Sequence, residues 1–314
     1  MKVLILAGGF ATRLWPLSEK KTKPLLPVGG KSIISHLVDK INPDLEIVIS
    51  TNEQFEDQFQ DWKEKNYPDR NINILVEPSK SEKDKKGAIG AIGYAVETYN
   101  IHDDLLVVAG DNLITFDINE FINKFDGNSL VAFYDIKDRE AAKKFGVVEI
   151  KDNKVIDFEE KPSEPKSTIV STLCYILQKE VLGDLKEFIK TGKDNAGDFI
   201  AFLVNNKSFI VRPFVFSGLW FDIGSFEAYL EANTQIQGSP IISEKALVSE
   251  DSKILGSSFI ESEVVIENSI IEHSVIMEGC KIKNSTIRNC IIDDNCVMTN
   301  VTLENQMVRN KTKI

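Results

Sequence analysis

A glycine-rich segment near the start of the chain carries residue types suited to binding a polyphosphate. The string LAGGFATRLWPLSEKKTKPLLPV spans residues 6–28 and begins where an apolar run ends. Its glycine pair allows a tight turn, and a hydroxyl, a guanidinium and an ammonium follow. Backbone N–H groups and two cations at the end of a strand form a cradle for a triphosphate. The residues concerned are Leu6, Gly8, Gly9, Thr12, Arg13 and Lys23.

Two aspartates follow apolar runs in the segments VVAGDNLI and GLWFDIGS. Asp111 ends the first run, and Asp222 lies within the second. The end of a buried strand is where α/β sheets place ligand-binding residues, and sparse hard oxygen ligands suit Mg²⁺. Each Asp taken alone is also explained as a helix cap. Each aspartate is therefore a candidate metal ligand.

A carboxylate and an ammonium lie side by side in DFEEKP at 157–162. Glu160 can accept hydrogens from hydroxyl groups, while Lys161 can bind a phosphate, so the pair suits a hexose phosphate. The segment GAIGAIG at 87–93 superficially matches a dinucleotide-binding fingerprint. It follows a Lys-rich segment, 79–86, predicted to be a solvated loop, rather than a strand, and this argues against a dinucleotide site.

The elements that must position these residues alternate between strands and helices up to about residue 238. Near-continuous apolar runs such as VLILA at 3–7 are separated by segments of helical spacing, and strands become more frequent after residue 129. This pattern predicts a largely parallel sheet covered on both faces, with antiparallel insertions. The predicted fold class is α/β, with a Rossmann-like mixed sheet.

The spacing of apolar residues changes after Gly238. From Val248 to Leu303 a large apolar residue recurs eleven times at steps of five or six, and a small or β-branched residue lies two positions before each. Neither a helix nor a plain strand has this period, which is typical of hexapeptide coils. The sequence therefore predicts two domains, at 1–238 and 239–314, the second a short left-handed parallel β-helix.

The string at 6–28 resembles the signature of the sugar-1-phosphate nucleotidyltransferases, and the resemblance covers nearly all of residues 1–238. It implies Mg²⁺-dependent transfer from a nucleoside triphosphate to a sugar-1-phosphate, with release of pyrophosphate. It assigns nucleotide contacts to Leu6, Gly8, Gly9, Thr12, Arg13, Lys23, Gly87 and Asp111. It assigns sugar-phosphate contacts to Gly146, Glu160 and Lys161, and the metal to Asp111 and Asp222. The catalytic residues that it implies are Arg13, Lys23, Asp111 and Lys161.

Within this group the chain most resembles the glucose-1-phosphate thymidylyltransferases. The run Gly110-Asp111-Asn112 is in their style, which favours dTTP and glucose-1-phosphate. Glu77 stands roughly where those enzymes often carry a Gln that reads thymine, so UTP, or GTP with mannose-1-phosphate, stays open. A non-catalytic relative that binds sugar nucleotides is a further alternative. Retention of all the charged signature residues argues against it.

Two residues depart from the family pattern. Ala11 and Leu173 each stand where many members carry glycine. An Ala costs little at such a position unless the backbone φ angle is positive. A leucine at 173 bears on the shape of the sugar pocket.

Composition excludes several classes of protein. A net charge of −11 argues against nucleic-acid binding, while still allowing a small cationic pocket. The sequence has neither a membrane span nor a convincing targeting signal, and its four Cys do not form a disulfide framework, which predicts a cytoplasmic location. His273 is alone and is predicted to be a surface residue rather than an acyltransferase base. The β-helix predicts a homo-oligomer that acts on small molecules.

Overall fold

The computed structural model describes residues 1–79, 87–206 and 208–314. The loop predicted at 79–86 lies, except for Ser79, outside these residues. By its contacts the chain forms two compact units, one of Met1–Gly9 with Ile34–Trp220 and the other of Phe10–Ile33 with Phe221–Ile314. The domain boundary at 238–239 stays a prediction.

Up to Ile236 the described strands and helices alternate much as the pattern of apolar residues predicts. The strands are β1 (Lys2–Leu6), β2 (Pro27–Val28), β3 (Lys31–Ser32), β4 (Ile47–Asn52), β5 (Ile72–Glu77), β6 (Leu105–Ala109), β7 (Asn112–Ile114), β8 (Ser129–Asp135), β9 (Gly146–Lys151), β10 (Lys154–Glu160), β11 (Ile169–Leu177), β12 (Val211–Phe216) and β13 (Trp220–Asp222). The helices are α1 (Ile33–Val38), α2 (Glu56–Asn66), α3 (Gly87–Thr98), α4 (Ile118–Asn123), α5 (Arg139–Ala142), α6 (Val181–Ile189), α7 (Ala196–Asn205) and α8 (Phe226–Ile236).

The first unit is built on a nine-stranded mixed sheet. Seven strands follow the order β10-β9-β11-β6-β1-β4-β5, and β8 joins β11 to β12. Strand β1 is parallel to β4 and β6, and β4 is parallel to β5, whereas β11 is antiparallel to β6 and β8. Every residue of β4 and β6 is buried, as expected for strands covered on both faces. The predicted mixed α/β sheet is therefore confirmed.

Parallel pairing places three strand ends at one edge of this sheet. The carboxyl ends of β1 and β6 lead into Gly8 and Asp111, and β5 ends at Glu77. Helix α3 packs on β1, β4 and β5 and also contacts α6 and α7. Its first residue, Gly87, lies at the same edge as the strand ends and lines a cavity with them.

The second unit contains the predicted β-helix. Its strands are β14 (Ile241–Ile242), β15 (Leu247–Val248), β16 (Lys253–Leu255), β17 (Phe259–Ile260), β18 (Val265–Glu267), β19 (Ile270–Glu272), β20 (Val275–Ile276), β21 (Lys281–Lys283), β22 (Thr286–Arg288), β23 (Ile291–Ile292), β24 (Val297–Thr299), β25 (Thr302–Glu304) and β26 (Met307–Val308). They form three parallel sheets of five, four and four strands. The left-handed parallel β-helix predicted from the period is confirmed.

The register of the coils follows the apolar repeat. Val248 pairs with Ile266, and Ile260 pairs with Ile276, so residues of the same slot stack from coil to coil. The small slots also form hydrogen bonds. The Ser274 hydroxyl, for example, accepts the N–H of Cys290 at 3.0 Å and donates to the Glu272 carbonyl. Because the Ser274 hydroxyl both accepts and donates a hydrogen bond, a buried serine is tolerated inside the coil.

Residues 10–33 pack in the second unit together with α8. Three 3-10 turns, Thr12–Leu14, Leu17–Glu19 and Lys23–Leu25, precede the β2-β3 hairpin. The Tyr229 hydroxyl donates to the Pro27 carbonyl, and the Gly29 N–H donates to Asn233 Oδ1 at 2.9 Å. A side chain at Gly29, whose φ is +58°, would clash with Ile236 of α8. The hairpin is therefore held against this helix.

No helix among the described residues is long and apolar enough to cross a bilayer.

Candidate functional site

A cavity of about 210 Å³ lies at the edge where β1, β5 and β6 end and α3 begins. Five of the predicted nucleotide-binding residues line it together with residues that the resemblance does not assign. The lining residues are Leu6, Gly8, Gly9, Glu77, Gly87, Ala88, Ala91, Ala109, Asp111 and Leu173. The cavity therefore brings the first-unit part of the predicted nucleotide site together.

Gly8 and Gly87 each lie where another residue approaches closely. A side chain at Gly8 would bring its Cβ to 2.8 Å from Glu77 Oε1. Gly87 has a φ of +67°, and a Cβ there would lie 2.5 Å from the Cβ of Asp194 and 2.8 Å from its carbonyl oxygen. At position 87, therefore, only glycine avoids both the strain of the positive φ and the clash with Asp194. In the structure, then, Gly87 lets the start of α3 pack on Asp194, a contact that sequence reasoning missed.

Glu77 is a buried carboxylate on the wall of the cavity. Its residue is only 5% exposed, and its Oε1 accepts a hydrogen bond from the Ser50 hydroxyl at 2.7 Å. On the same side, the Asn52 amide donates to the Gly8 carbonyl at 3.0 Å. The polar end of β4 thus orients both Glu77 and the glycine turn. Sequence reasoning noted Glu77 only as a departure and missed Ser50 and Asn52.

Asp111 is held between two fixed neighbours. The N–H of Gly110 donates to the Leu6 carbonyl at 2.8 Å, and the Asn112 amide donates to the Thr172 carbonyl at 2.6 Å. These bonds link Asp111 to β1 on one side and to β11 on the other. The backbone carrying the carboxylate is therefore fixed from two directions.

Leu173 lies at an irregularity in β11. The pairing of β11 with β8 shifts register between Ser171 and Tyr175, and Leu173 has a φ of +53°. A left-handed conformation costs a branched residue about 1–2 kcal/mol, which glycine would not incur. The side chain lines the cavity described above, so the departure from the family pattern alters the wall near Asp111. The prediction that it shapes the sugar pocket stays a prediction.

The three residues predicted to bind the sugar phosphate lie together in the first unit. Gly146 begins β9 and pairs with Glu160 at the end of β10. A Cβ at Gly146 would lie 2.4 Å from Phe158 Cζ and 3.0 Å from Glu160 Oε2. Lys161 follows, and its Nζ is 3.3 Å from Glu160 Oε1. The predicted carboxylate–ammonium pair is thus formed.

The segment before α7 completes this cluster, and sequence reasoning missed it. The Lys161 ammonium donates to Asn195 Oδ1 at 3.4 Å, and Glu160 packs so tightly on Gly197 that a Cβ there would lie 2.0 Å from Oε2. Because Asp194 also contacts Gly87, the segment 194–197 joins the cavity to the cluster. The sequence carried one signal, since an amide residue, Asn195, and a glycine, Gly197, lie at the start of α7. Their partners, however, are distant in sequence.

Burial sets the acidity of Glu160. Desolvation raises the pKa of its carboxyl, Lys161 partly opposes this, and Asp198 raises it further. The folded chain therefore keeps this proton to a higher pH than the unfolded chain does. Consequently the contribution of Glu160 to stability is present at low pH and is lost as pH rises through its folded-state pKa.

The remaining predicted residues belong to the second unit. Thr12 and Arg13 form an exposed 3-10 turn, whereas Lys23 is buried at the start of another. The Lys23 ammonium lies 4.0 Å from Asp222 Oδ1, so the structure pairs a predicted phosphate ligand with a predicted metal ligand. Sequence reasoning did not anticipate this ion pair.

Ala11 has the positive φ at which a side chain is costly. Its φ is +48°, and its carbonyl accepts a hydrogen bond from the Ser18 hydroxyl at 2.6 Å. The expectation that alanine is tolerated at little cost held only for a negative φ, so this residue is strained.

Ala11→Gly is expected to raise the free energy of unfolding by about 0.5 kcal/mol, because relief of the left-handed strain exceeds the entropy that glycine adds to the unfolded chain. Thermal unfolding of the full chain measures this. Ala201→Gly, the same change inside α7, is the control and is expected to lower stability by about 1 kcal/mol. Destabilisation by both changes would show that Ala11 is unstrained.

The two predicted metal ligands belong to different units, Asp111 to the first and Asp222 to the second, and each by itself suits a divalent cation. Carboxylates such as Asp111 and Asp222 are hard donors of the kind that Mg²⁺ prefers. Among the described residues no three or more His, Cys, Asp or Glu side chains form a metal-binding group. Mg²⁺ bound by one or two carboxylates usually takes its other ligands from water and substrate phosphates.

Comparison with known proteins decides the family. The model of the family described as nucleotidyl transferase matches residues 2–239. The chain belongs to the nucleotidyl transferase family. A second model, the GlmU-like C-terminal hexapeptide, matches residues 228–304 of this nucleotidyl transferase.

The names of the relatives of this chain give different substrates. A Sulfolobus acidocaldarius protein described as a mannose-1-phosphate guanyltransferase is 29% identical over 88% of the chain and 76% of its own length. The bifunctional protein GlmU of Methanocaldococcus jannaschii is 30% identical over 86% of the chain, but the chain spans only 61% of that protein. A crystal structure described as a glucose-1-phosphate thymidylyltransferase from Bacillus anthracis, in complex with sucrose, is 29% identical. The superposition with that structure covers 75% of this chain and 95% of the chain in the crystal, with a TM-score of 0.63.

Proposed function

We propose that this nucleotidyl transferase transfers a nucleotidyl group from a nucleoside triphosphate to a sugar-1-phosphate in the presence of Mg²⁺. The observation that carries the proposal is the cavity at the ends of β1, β5 and β6, joined through the segment 194–197 to the cluster of Gly146, Glu160 and Lys161. The cavity suits a nucleotide, and the cluster suits a hexose phosphate. The family match and the names of the relatives support the same reaction.

The reaction places its demands on charge rather than on proton transfer. An oxygen of the sugar-1-phosphate attacks the α-phosphorus, a new P–O bond forms, and the bond to the departing pyrophosphate breaks. The attacking oxygen is already anionic, so no general base is required. Lys161 would hold the sugar phosphate, and Arg13 and Lys23 would bind the triphosphate, so that two polyanions are aligned despite their repulsion.

Asp111 and Asp222 would hold the metal ion. When bound, Mg²⁺ neutralises charge on the phosphates during such a transfer. The assignment of Arg13, Lys23 and Asp222 to the same reaction as the first-unit residues remains part of the proposal.

For the nucleotide, the chemistry of Glu77 favours GTP. In its ionised form the carboxylate offers only acceptors, and the guanine edge presents two adjacent donors, N1–H and the 2-amino group. Thymine and uracil present one N–H between two carbonyl oxygens, which a carboxylate repels. The Sulfolobus relative's name adds support for GTP with mannose-1-phosphate.

The second candidate is dTTP with glucose-1-phosphate. The run Gly110-Asp111-Asn112 and the name of the Bacillus structure support it. An assay of pyrophosphate release with GTP, dTTP, UTP, CTP and ATP, crossed with several sugar-1-phosphates, distinguishes the two. GTP is expected to give the highest kcat/KM, and turnover should stop when EDTA removes the metal. No turnover with any pair would instead favour a non-catalytic binding protein.

Glu160→Gln is expected to raise KM for the sugar-1-phosphate about tenfold above the folded-state pKa of Glu160, because a hydrogen bond to a charged acceptor contributes roughly 1.5–3 kcal/mol. Above that pKa the variant is also expected to be more stable than the wild type, a gain that disappears below pH ~4. Initial rates and thermal unfolding across this pH range test both effects.

Glu159→Gln is the matched control for this change. Glu159 is the preceding residue of β10 and is exposed, so neither KM nor stability should follow the same pH dependence. An unchanged KM in Glu160→Gln would remove Glu160 from the sugar site.

Cytoplasmic location and homo-oligomeric assembly complete the proposal, and both rest on the sequence. Light scattering of the full chain tests the second, and the mass of a single chain would contradict it.

A further inference from the structure

A lysine of the predicted phosphate-binding segment is held by the β-helix. The Lys21 ammonium lies 2.6 Å from Asp294 Oδ1 and 3.6 Å from Asp293 Oδ1, and it donates to Met277 Sδ at 3.4 Å. Both aspartates lie at the corner between β23 and β24. The Asp293 side chain is 4% exposed and that of Asp294 is 18% exposed, so this ion pair is largely shielded from solvent.

Lys21 balances several carboxylates at that corner. Burial alone would lower its pKa, but the hydrogen bond and charge of Asp294, with Asp293 and Glu261, raise it instead. Burial raises the pKa of both Asp293 and Glu261. Loss of Lys21 would therefore leave buried negative charge without its cation, which is strongly destabilising to the local structure.

A second contact ties the same segment to the β-helix. Arg309 Nη2 lies 3.2 Å from Glu19 Oε2. This pair is more exposed than the one at Lys21, so it contributes little by itself. The two contacts nevertheless fix positions 19 and 21 on one surface, and the Lys21 pair is the less exposed of the two.

The attachment lies next to a predicted triphosphate ligand. Lys23 is two residues after Lys21 and opens a 3-10 turn in which the Leu25 N–H donates to the Thr22 carbonyl at 3.0 Å. On the other side, the Ser18 hydroxyl ties the segment to the Ala11 carbonyl, two residues before Arg13. A displacement at Lys21 would consequently move the backbone of Lys23 and loosen the turn that carries Arg13.

We infer that Lys21 and Asp294 are positioning residues through which the β-helix holds Arg13 and Lys23 in place for the triphosphate. The inference rests on the proposed function, in which those two cations bind the nucleotide. It gives the β-helix a part in nucleotide binding that differs from assembly or capping.

The test uses the full chain with Lys21→Met, Lys21→Arg and Asp294→Asn. Hydrogen exchange of residues 10–33 is expected to speed up about tenfold in Lys21→Met and Asp294→Asn, since the local opening free energy falls when a shielded ion pair is broken. KM for the nucleoside triphosphate should rise about tenfold, while KM for the sugar-1-phosphate stays within about twofold. Lys21→Arg keeps the charge and should restore most of both properties.

Lys283→Met is the matched control, because Lys283 forms an equally short but exposed ion pair with Glu267 on the same β-helix. It should leave exchange and both KM values unchanged. Wild-type exchange of residues 10–33 in Lys21→Met and Asp294→Asn would overturn the inference, as would equal changes in the two KM values. If Lys21→Met fails to fold, the inference is tested by Asp294→Asn alone, because that variant retains Asp293. If the wild type is inactive, only the proposed function is overturned, because hydrogen exchange still tests whether Lys21 and Asp294 hold residues 10–33 on the β-helix.

Discussion

Asp111→Asn is expected to lower kcat for pyrophosphate release about 10²–10³-fold, the loss that follows removal of one electrostatic contact to the transition state. The amide keeps the shape of the side chain but lacks the charge that a hard cation requires. Hydrogen bonds of Gly110 and Asn112 fix the backbone on both sides, so the fold should persist. Initial rates at varied Mg²⁺, together with Mn²⁺ binding in the presence of nucleotide, measure the effect.

The matched control removes a carboxylate from the opposite end of the same strand. Asp103 precedes β6 and is exposed, and Asp103→Asn should retain wild-type rates and metal dependence. Asp222→Asn tests the second predicted ligand in the same assay. A variant of Asp111 with wild-type turnover would show that this carboxylate does not hold the metal.

Local periodicity was enough to predict most of the fold. The steps of five and six residues from Val248 to Leu303 correspond to strands that stack in register from coil to coil. Apolar runs such as VLILA at 3–7, which contributes to β1, became strands close to the positions predicted. These features depend on which side of a strand is buried, and the sequence carries that information at every residue.

The candidate site was predicted less completely, because its contacts join distant segments. The signature glycines and charged residues were recognisable as a motif, and the cavity contains those of the first unit. Asp194, Asn195 and Gly197 were not foreseen, since each acts through a partner in another element. Backbone conformation was hidden as well. The positive φ angles of Ala11 and Leu173 arise from a turn and a bulge, at residues whose types do not favour that conformation.

Long-range packing also changed the meaning of the hexapeptide domain. By sequence it is an appendage that begins at about residue 239. In the structure, residues 10–33 pack in the same unit as the β-helix, and Lys21 meets an aspartate 273 positions later. Ion pairs between segments so far apart leave no periodic trace. Only the fold shows that the cations predicted to bind phosphate and the coils share one unit.

Glu77→Gln is expected to reverse the choice of nucleotide, with kcat/KM for GTP falling about a hundredfold and that for dTTP and UTP rising. The amide preserves the size of the side chain and can still accept the Ser50 hydroxyl that binds Oε1. It replaces one acceptor with a donor, however, so it matches the N3–H and O4 edge of a pyrimidine and opposes the two donors of guanine. Competition assays with mixed triphosphates measure the ratio directly.

Two outcomes separate the nucleotide proposals. Glu97→Gln, an exposed change near the other end of α3, should keep the wild-type preference and controls for the altered net charge. If the wild type already prefers dTTP and Glu77→Gln leaves that preference unchanged, the base is read elsewhere and the thymidylyl reaction is favoured. If the preference moves from GTP toward dTTP, the carboxylate at the end of β5 selects the base. Specificity would then depend on one buried acceptor, because repulsion between Glu77 and pyrimidine carbonyl oxygens excludes the wrong nucleotide as effectively as hydrogen bonds retain the right one.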